Sequence, residues 1–291
     1  MAISTAINAR MMINAKKFCF AKFLDQTTTE RIQNPDAICG NRDPLLDRTL
    51  TGRRKIMFTT FHDFTVPILA ELLPLAGTTL ASTTYTANQT ISSIPIVVDK
   101  VGKIHKYTAC RMNRMIIRGQ VGTLPCSIEC QWIGEDETDG TSETWTNGTV
   151  DGIFGFPGAT YEIDGTAVDF DRFAFVIDNK LIPSWNSSAT VTDVGTGPRQ
   201  TLLATSVPYV SANTGLYWDN RDTVAAGVDH ALSITNGEDT VQINLPNAVL
   251  IPESPSIEGA LEEIRLPMTW EAHRIGGGSP VAAFNIVVTN G

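Results

Sequence analysis

The sequence predicts a mainly β protein built from two tandem β-sandwich or barrel units, each with a short flanking helix. Three observations lead there. Alternating or β-branched runs bounded by Gly, Pro, Asn or Asp recur along the chain, helix-period stretches are few, and the two halves present their elements in the same order.

In the first half, strand runs are read at Lys55–Thr60, Ser93–Val98, Met115–Arg118 and Ser127–Ile133. In the second they fall at Arg172–Ile177, Leu202–Val207, Thr240–Leu245, Met268–His273 and Ala283–Thr289. The clearest helix is Thr65–Leu75, where Val66, Leu69, Leu72 and Leu73 repeat at helical spacing. Thr65 supplies an N-cap, Pro67 is tolerated in the first turn, and Pro74 to Gly77 end it. A weaker helix is expected over Asp219–Gly227. Hairpin turns are placed at Asp99–Lys103 and at Asn236 to Asp239, the latter on an Asn-Gly pair suited to a type I′ turn.

Laid side by side, Gly52-Arg53-Arg54-Lys55 and Gly197-Pro198-Arg199-Gln200 each open a strand. A helix, a hairpin and a closing strand that carries Trp132 or Trp270 follow in both halves. The order reads as a diverged tandem duplication; the alternative is two unrelated β domains that share only the common run of strands and turns. The domain reading is an N-terminal arm over 1–50, a first β domain over 51–150 and a second over 151–291. The arm is poor in periodic pattern yet apolar at Phe18, Phe20 and Phe23. The acidic tract from Gly134 to Gly140, with the polar stretch to Gly148, is read as a solvated loop ending the first domain.

Composition narrows the function classes. The 291 residues are 42% hydrophobic and 18% charged, which fits a folded protein with a real core. The net charge of −9 argues against a nucleic-acid grip. The charge is uneven: residues 1–150 hold 16 basic and 14 acidic side chains, residues 151–291 hold 6 and 17. Met1 to Phe20 lacks the apolar run of a signal peptide, and no stretch reaches membrane-spanning length. Five scattered cysteines, with Cys126 and Cys130 on one strand face, are expected as buried thiols in a reducing compartment. The sequons at Asn88, Asn147 and Asn186 are read as chance matches.

No catalytic constellation stands out. His62, His105, His230 and His273 show no close ligand spacing, and there is no CxxC, nucleophile elbow or phosphate-cradling loop. No cofactor and no metal site are expected. One cluster calls for an explanation: Lys100, Lys103, Lys106, Arg111, Arg114 and Arg118, with no acid among them. Together with Glu135, Asp136, Glu137 and Asp139 these are the candidate subunit-contact residues, basic against acidic, with the solvated side of a hairpin and, behind it, contact with nucleic-acid phosphates as the alternatives. Trp132 and Trp270 are expected in the core, and Trp145, Trp185 and Trp218 nearer the surface.

The run Gly52 to Phe58, followed by Thr65–Gly77 with Leu72-Leu73-Pro74-Leu75, resembles the early part of tailed-phage tail tube proteins. So do the strand Phe173 to Asn179 with Gly197-Pro198-Arg199 downstream, and the closing pattern Ile264–His273 followed by Ala283 to Asn290. The similarity covers most of residues 50–291 and rests on the order of these motifs. It implies a non-enzymatic virion protein of the tail, made in the host cytoplasm, that forms rings with itself and meets other tail proteins. Stacked rings would make a tube through which DNA passes without specific binding; no membrane is involved. Two tandem units imply a trimeric ring with pseudo-sixfold symmetry, one unit a hexamer. The acidic second half is a candidate lining that would repel phosphates. The alternatives are a capsid decoration or other minor virion protein, and a soluble β-sandwich binding module.

Overall fold

The structure is a computed structural model that describes residues 10–13, 16–18, 22–33, 49–100, 103–122, 125–140, 144, 146–148, 152–186, 188–209, 215, 218–220, 227–251, 265–275 and 282–290. Expectations for Cys19, Phe20, Cys39 and Trp145, and for most of the 219–227 helix, lie outside these residues. Residues 219 and 220 of that stretch are helical, as is Trp218 before them, and Gly227 leads into the next strand.

Antiparallel strands dominate. The first fifty residues, expected as an arm, contribute β1 (Arg10–Ile13), β2 (Lys16–Phe18), β3 (Lys22–Asp25) and β4 (Thr28–Gln33). The first half continues with β5 (Thr49–Asp63), α1 (Val66–Leu75), β6 (Thr78–Ala81), β7 (Thr84–Ala87), β8 (Ile94–Asp99), β9 (Ile104–Gln120) and β10 (Ser127–Gly134). Then come β11 (Asp136–Gly140), β12 (Thr146–Asn147), β13 (Ala159–Ile163), β14 (Thr166–Ala167), β15 (Arg172–Asp178), β16 (Leu181–Ser184) and β17 (Asp193–Thr196). The chain closes with β18 (Gln200–Pro208), β19 (Val228–Thr235), β20 (Thr240–Ile251), β21 (Arg265–Ala272) and β22 (Asn285–Thr289).

Every strand run read from the sequence falls inside one of these elements or overlaps it. Two local expectations need correction. The acidic tract is no solvated loop: Asp136–Gly140 is β11, paired antiparallel with the start of β9. Its backbone bonds go to the ladder, and Glu137 turns to Arg54 and His105, which is how so polar a segment is accommodated. The Asn236 turn is not type I′. Only Gly237 (φ 97°) has positive φ there, and four residues bridge Thr235 and Thr240. The Asn236 side chain accepts from the amides of Glu238 and Asp239 at 3.0 and 2.7 Å, and this sets the wider loop.

Helix α1 forms as its caps direct. Thr65 Oγ1 accepts from the Ile68 amide at 3.5 Å, and the Ala76 amide closes the last turn on the Leu72 and Leu73 carbonyls, both at 3.0 Å. Ile68, Leu69, Leu72, Leu73 and Leu75 are buried, so the helix serves as a wall of the core. One apolar cluster runs through both halves, from Met11 and Phe58 by way of Trp132 and Phe175 to Trp270 and Ile286.

The pairing order recurs. In the first half β3 pairs β5, β5 pairs β10, and β10 pairs β9. In the second β15 pairs β18, β18 pairs β21, and β21 pairs β20. β9 also pairs β15, which joins the two quartets into one sheet of eight strands. Anchor residues hold matching registers: Phe58 faces Trp132 as Leu203 faces Trp270, and Phe23 faces Thr60 as Phe173 faces Thr205. The starts of β9 and β20 leave this sheet for an outer layer, where β9 pairs β8 and β11 and β20 pairs β19 and β22. β9 changes layers at Ala109, which takes φ 47° beside a register shift against β8.

The second quartet is staggered against the first. Stepping sideways from Leu203 through Phe175, Ile117 and Ile128 reaches His62, four residues along β5 from Phe58. Four strands therefore carry a displacement of four residues.

Candidate functional site

Side chains alternate across the eight-stranded sheet, one face on the core and the other outward. Along β10, Ile128, Cys130 and Trp132 are buried, while Ser127, Glu129 and Gln131 point the other way. One register row of the outward face runs Lys22, Phe61, Glu129, Ile116, Val176, Leu202, Glu271, Val249, spanning all eight strands. Around Ile116, Val176 and Leu202 this face hollows into a concavity of about 700 Å³, lined also by Arg114, Arg118 and Arg172.

The basic cluster does not stay together. Lys100 and Lys103 sit at the hairpin tip, where the Lys100 amide donates to the Lys103 carbonyl at 2.8 Å. Lys100 Nζ lies 3.4 Å from Asp25 and over the Phe23 ring, while Lys103 is exposed. Lys106 stands opposite Thr138 in the outer layer. Beyond the bend at Ala109, Arg111, Arg114 and Arg118 lie on the concave face. Arg111 donates to the Val194 carbonyl and approaches Asp193 at 3.6 Å, which ties the halves together. Arg118 pairs with Glu129 across the ladder, and Arg114 faces Gln131 on one side and Asp178 on the other.

The acidic candidates gather at one edge. Arg54 pairs with Glu137 and lies 4.0 Å from Asp136, and His105 Nδ1 is 2.8 Å from Glu137. The Glu135 amide donates to the Thr108 carbonyl at 3.0 Å, and Asp139 is exposed opposite His105. Sequence reading took both tracts as contact surfaces and missed that Arg54 and His105 answer Glu137 within the chain. No spacing rule links Arg54 to Glu137; only the ladder does.

The buried polar groups are structural. The Tyr161 hydroxyl is 2.8 Å from His230 Nδ1, and the His230 and Trp270 ring centroids are 4.3 Å apart. Burial pushes His230 down to about 3, so the imidazole is neutral at ordinary pH. Burial likewise pushes the Cys126 thiol up to about 11, and Cys110 and Cys130 upward as well; all three are free and buried. Trp132 and Trp270 are in the core as expected, Trp218 is exposed and Trp185 half-buried. Among the described residues, no group of three His, Cys, Asp or Glu could hold a metal ion, and no helix is long and apolar enough to cross a membrane.

A long self-pairing sheet with a concave outward face is the feature to set beside known proteins. No curated protein matches the sequence. A family model described as "Phage tail tube protein" matches residues 43–272, well over half of the chain. The chain belongs to the phage tail tube protein family.

Proposed function

We propose that three copies of this chain close into a ring with pseudo-sixfold symmetry, and that stacked rings form the tube that conducts DNA. The observation that carries this reading is the sheet of eight strands with a stagger of one residue per strand. Eight-stranded barrels with a shear of eight have strands tilted by about 36°. The same ratio extended over three copies closes roughly 24 strands at that tilt, within the usual range for barrels. With strands about 4.8 Å apart, opposite backbones then stand roughly 45 Å from each other, leaving an open channel.

On this reading the two halves are tandem copies of one unit, and the β9–β15 ladder is a covalently linked version of the seam between subunits. The outer edge of β3 receives the next copy, because ring closure covers a sheet edge that would otherwise invite uncontrolled pairing. The concave face lines the channel. Carboxylates and guanidinium groups alternate there: Asp178 and Glu271 stand on that face with Arg172 and Arg265. Arg118 is matched by Glu129 and Arg265 by Asp171. Pairing of this kind leaves few cations to displace counterions from DNA, so the duplex slides without specific binding. Lys103 and Asp139, both exposed near one edge, are proposed contacts to neighbouring subunits or to other tail proteins. The role is structural, in the virion tail.

The test is negative-stain electron microscopy of the purified protein across concentrations, with rotational averaging of end-on views. Threefold rings or tubes support the reading, and sixfold averages without threefold modulation assign one chain to each sixth. Monomers at every concentration overturn it in favour of a decoration protein or a binding module.

A further inference from the structure

Lys22 on β3 and Arg172 on β15 hold the same position in the two halves. Lys22 faces Phe61 one residue before Phe23 faces Thr60, and Arg172 faces Ser206 one residue before Phe173 faces Thr205. Phe23 and Phe173 turn to the core, so both cations stand on the concave face, and both are exposed. Lys22 Nζ lies 5.4 Å from the Phe61 ring centroid, and Arg172 lines the concavity opposite Gln120. Neither pairs with a carboxylate among the described residues, whereas Arg111, Arg118 and Arg265 all do.

The two halves seldom agree on this face. Equivalent positions hold Lys55 and Gln200, Glu129 and Pro267, and Ser127 and Arg265. Among the described residues, the position of Lys22 and Arg172 is the only one on the concave face where both halves carry a charge.

Stepping sideways from Lys22 through Phe61, Glu129 and Ile116 reaches Val176, four residues along β15 from Arg172. That is the stagger of the core anchors. On the ring reading, rotation about the axis with no shift along it therefore carries one cation to the other. Arg172 lies at the seam within the chain. Lys22 lies on the edge strand that receives the next copy.

We propose that three copies place Lys22 and Arg172 alternately in a collar of six unpaired cations around one end of the channel, and that the collar contacts the phosphates of duplex DNA. This inference rests on the ring reading above. Strands about 4.8 Å apart and a step of four residues set neighbouring cations roughly 23 Å from each other around the wall. A duplex carries one negative charge per roughly 1.7 Å of its axis, so the collar meets phosphates wherever the duplex stands. The contact reads no sequence, and it retains the duplex without fixing where it stops.

The experiment titrates tubes of the full chain into a short fluorescein-labelled DNA duplex and follows anisotropy at several salt concentrations, with tube formation checked by negative stain. Wild-type tubes should bind the duplex, with an affinity that falls as salt rises. Lys22→Gln and Arg172→Gln should each reduce that salt slope by roughly half, since each removes three of the six cations. The double variant should bind no better than unassembled chain, and Lys22→Arg with Arg172→Lys should bind as wild type. A second readout needs no substitution: a duplex bearing one abasic aldehyde, trapped with borohydride in wild-type tubes, should join the peptide that carries Lys22. Tubes of the double variant that bind as wild type, loss with only one of the two substitutions, or trapping on other lysines alone overturn the collar and leave the ring reading standing. Absence of rings at every concentration overturns both.

Discussion

Trp132 Nε1 donates to Thr60 Oγ1 at 3.1 Å, deep in the core and across the β5–β10 ladder. The same hydroxyl lies 3.0 Å from His62 Nε2, so one threonine serves two buried polar groups. Thr60→Val keeps the shape and removes both partnerships. It should lower the free energy of unfolding by about 1–3 kcal/mol, the cost of leaving buried groups unmatched. The check is the urea midpoint at unchanged slope.

His230 makes stability depend on pH in a defined direction. Burial lowers its pKa from the usual 6.5 of histidine to about 3. The unfolded chain therefore binds a proton in a range where the folded chain does not. The contribution is complete above about pH 6.5 and is lost as the pH falls toward 3, at up to about 1.4 kcal/mol per pH unit. His230→Phe should flatten the curve of stability against pH across that window. An unchanged slope would assign the acid sensitivity elsewhere.

Gly119 stands opposite Phe173 in the ladder that joins the two halves. A Cβ there would meet Phe173 Cε1 at 2.6 Å and Cys126 Sγ at 2.7 Å. Gly119→Ala should cost about 1–3 kcal/mol through overpacking. Thermal unfolding measures the loss, and a melting temperature equal to wild type would show that the seam can yield.

Ala109 holds φ 47° where β9 bends from one layer to the other. An alanine there carries about 1–2 kcal/mol of left-handed strain that glycine does not. Ala109→Gly should raise the denaturation midpoint, against the usual loss that glycine brings to a strand. A fall would mean that the methyl group's packing outweighs the strain.

Leu24 lies on the concave face of the edge strand β3 and is 37% exposed. Leu24→Glu should shift monomer stability by no more than about 0.5 kcal/mol, as surface changes do. On the proposed ring it should nonetheless reduce the yield of tubes, read by sedimentation.

Much of this fold was legible because strands with one buried face alternate visibly. Ser127–Ile133 and Arg172–Ile177 are such cases, and both lie in the continuous sheet. The helix was legible through Thr65, Pro67 and the leucine spacing. The short strands of the first fifty residues were not, because β1, β2 and β3 are three or four residues long, too short to show a period. β11 was hidden for another reason: its sequence, Asp-Glu-Thr-Asp-Gly, has the wrong composition for a strand and is held by its ladder with β9 and by Arg54. The candidate contact residues were found as two charge runs, but a bend of one residue at Ala109 decides which of the lysines and arginines share a face. Charge counting carries no information about such a bend.

The ladder between β9 and β15 has a kinetic consequence. If the proposed trimer mimics a sixfold ring, three of its six lateral seams are intramolecular and form as each chain folds. The other three seams need only two bimolecular encounters and one ring closure, so most seams carry no loss of translational and rotational freedom on assembly. A partly built ring of such chains would hold together at concentrations where separately made units would disperse.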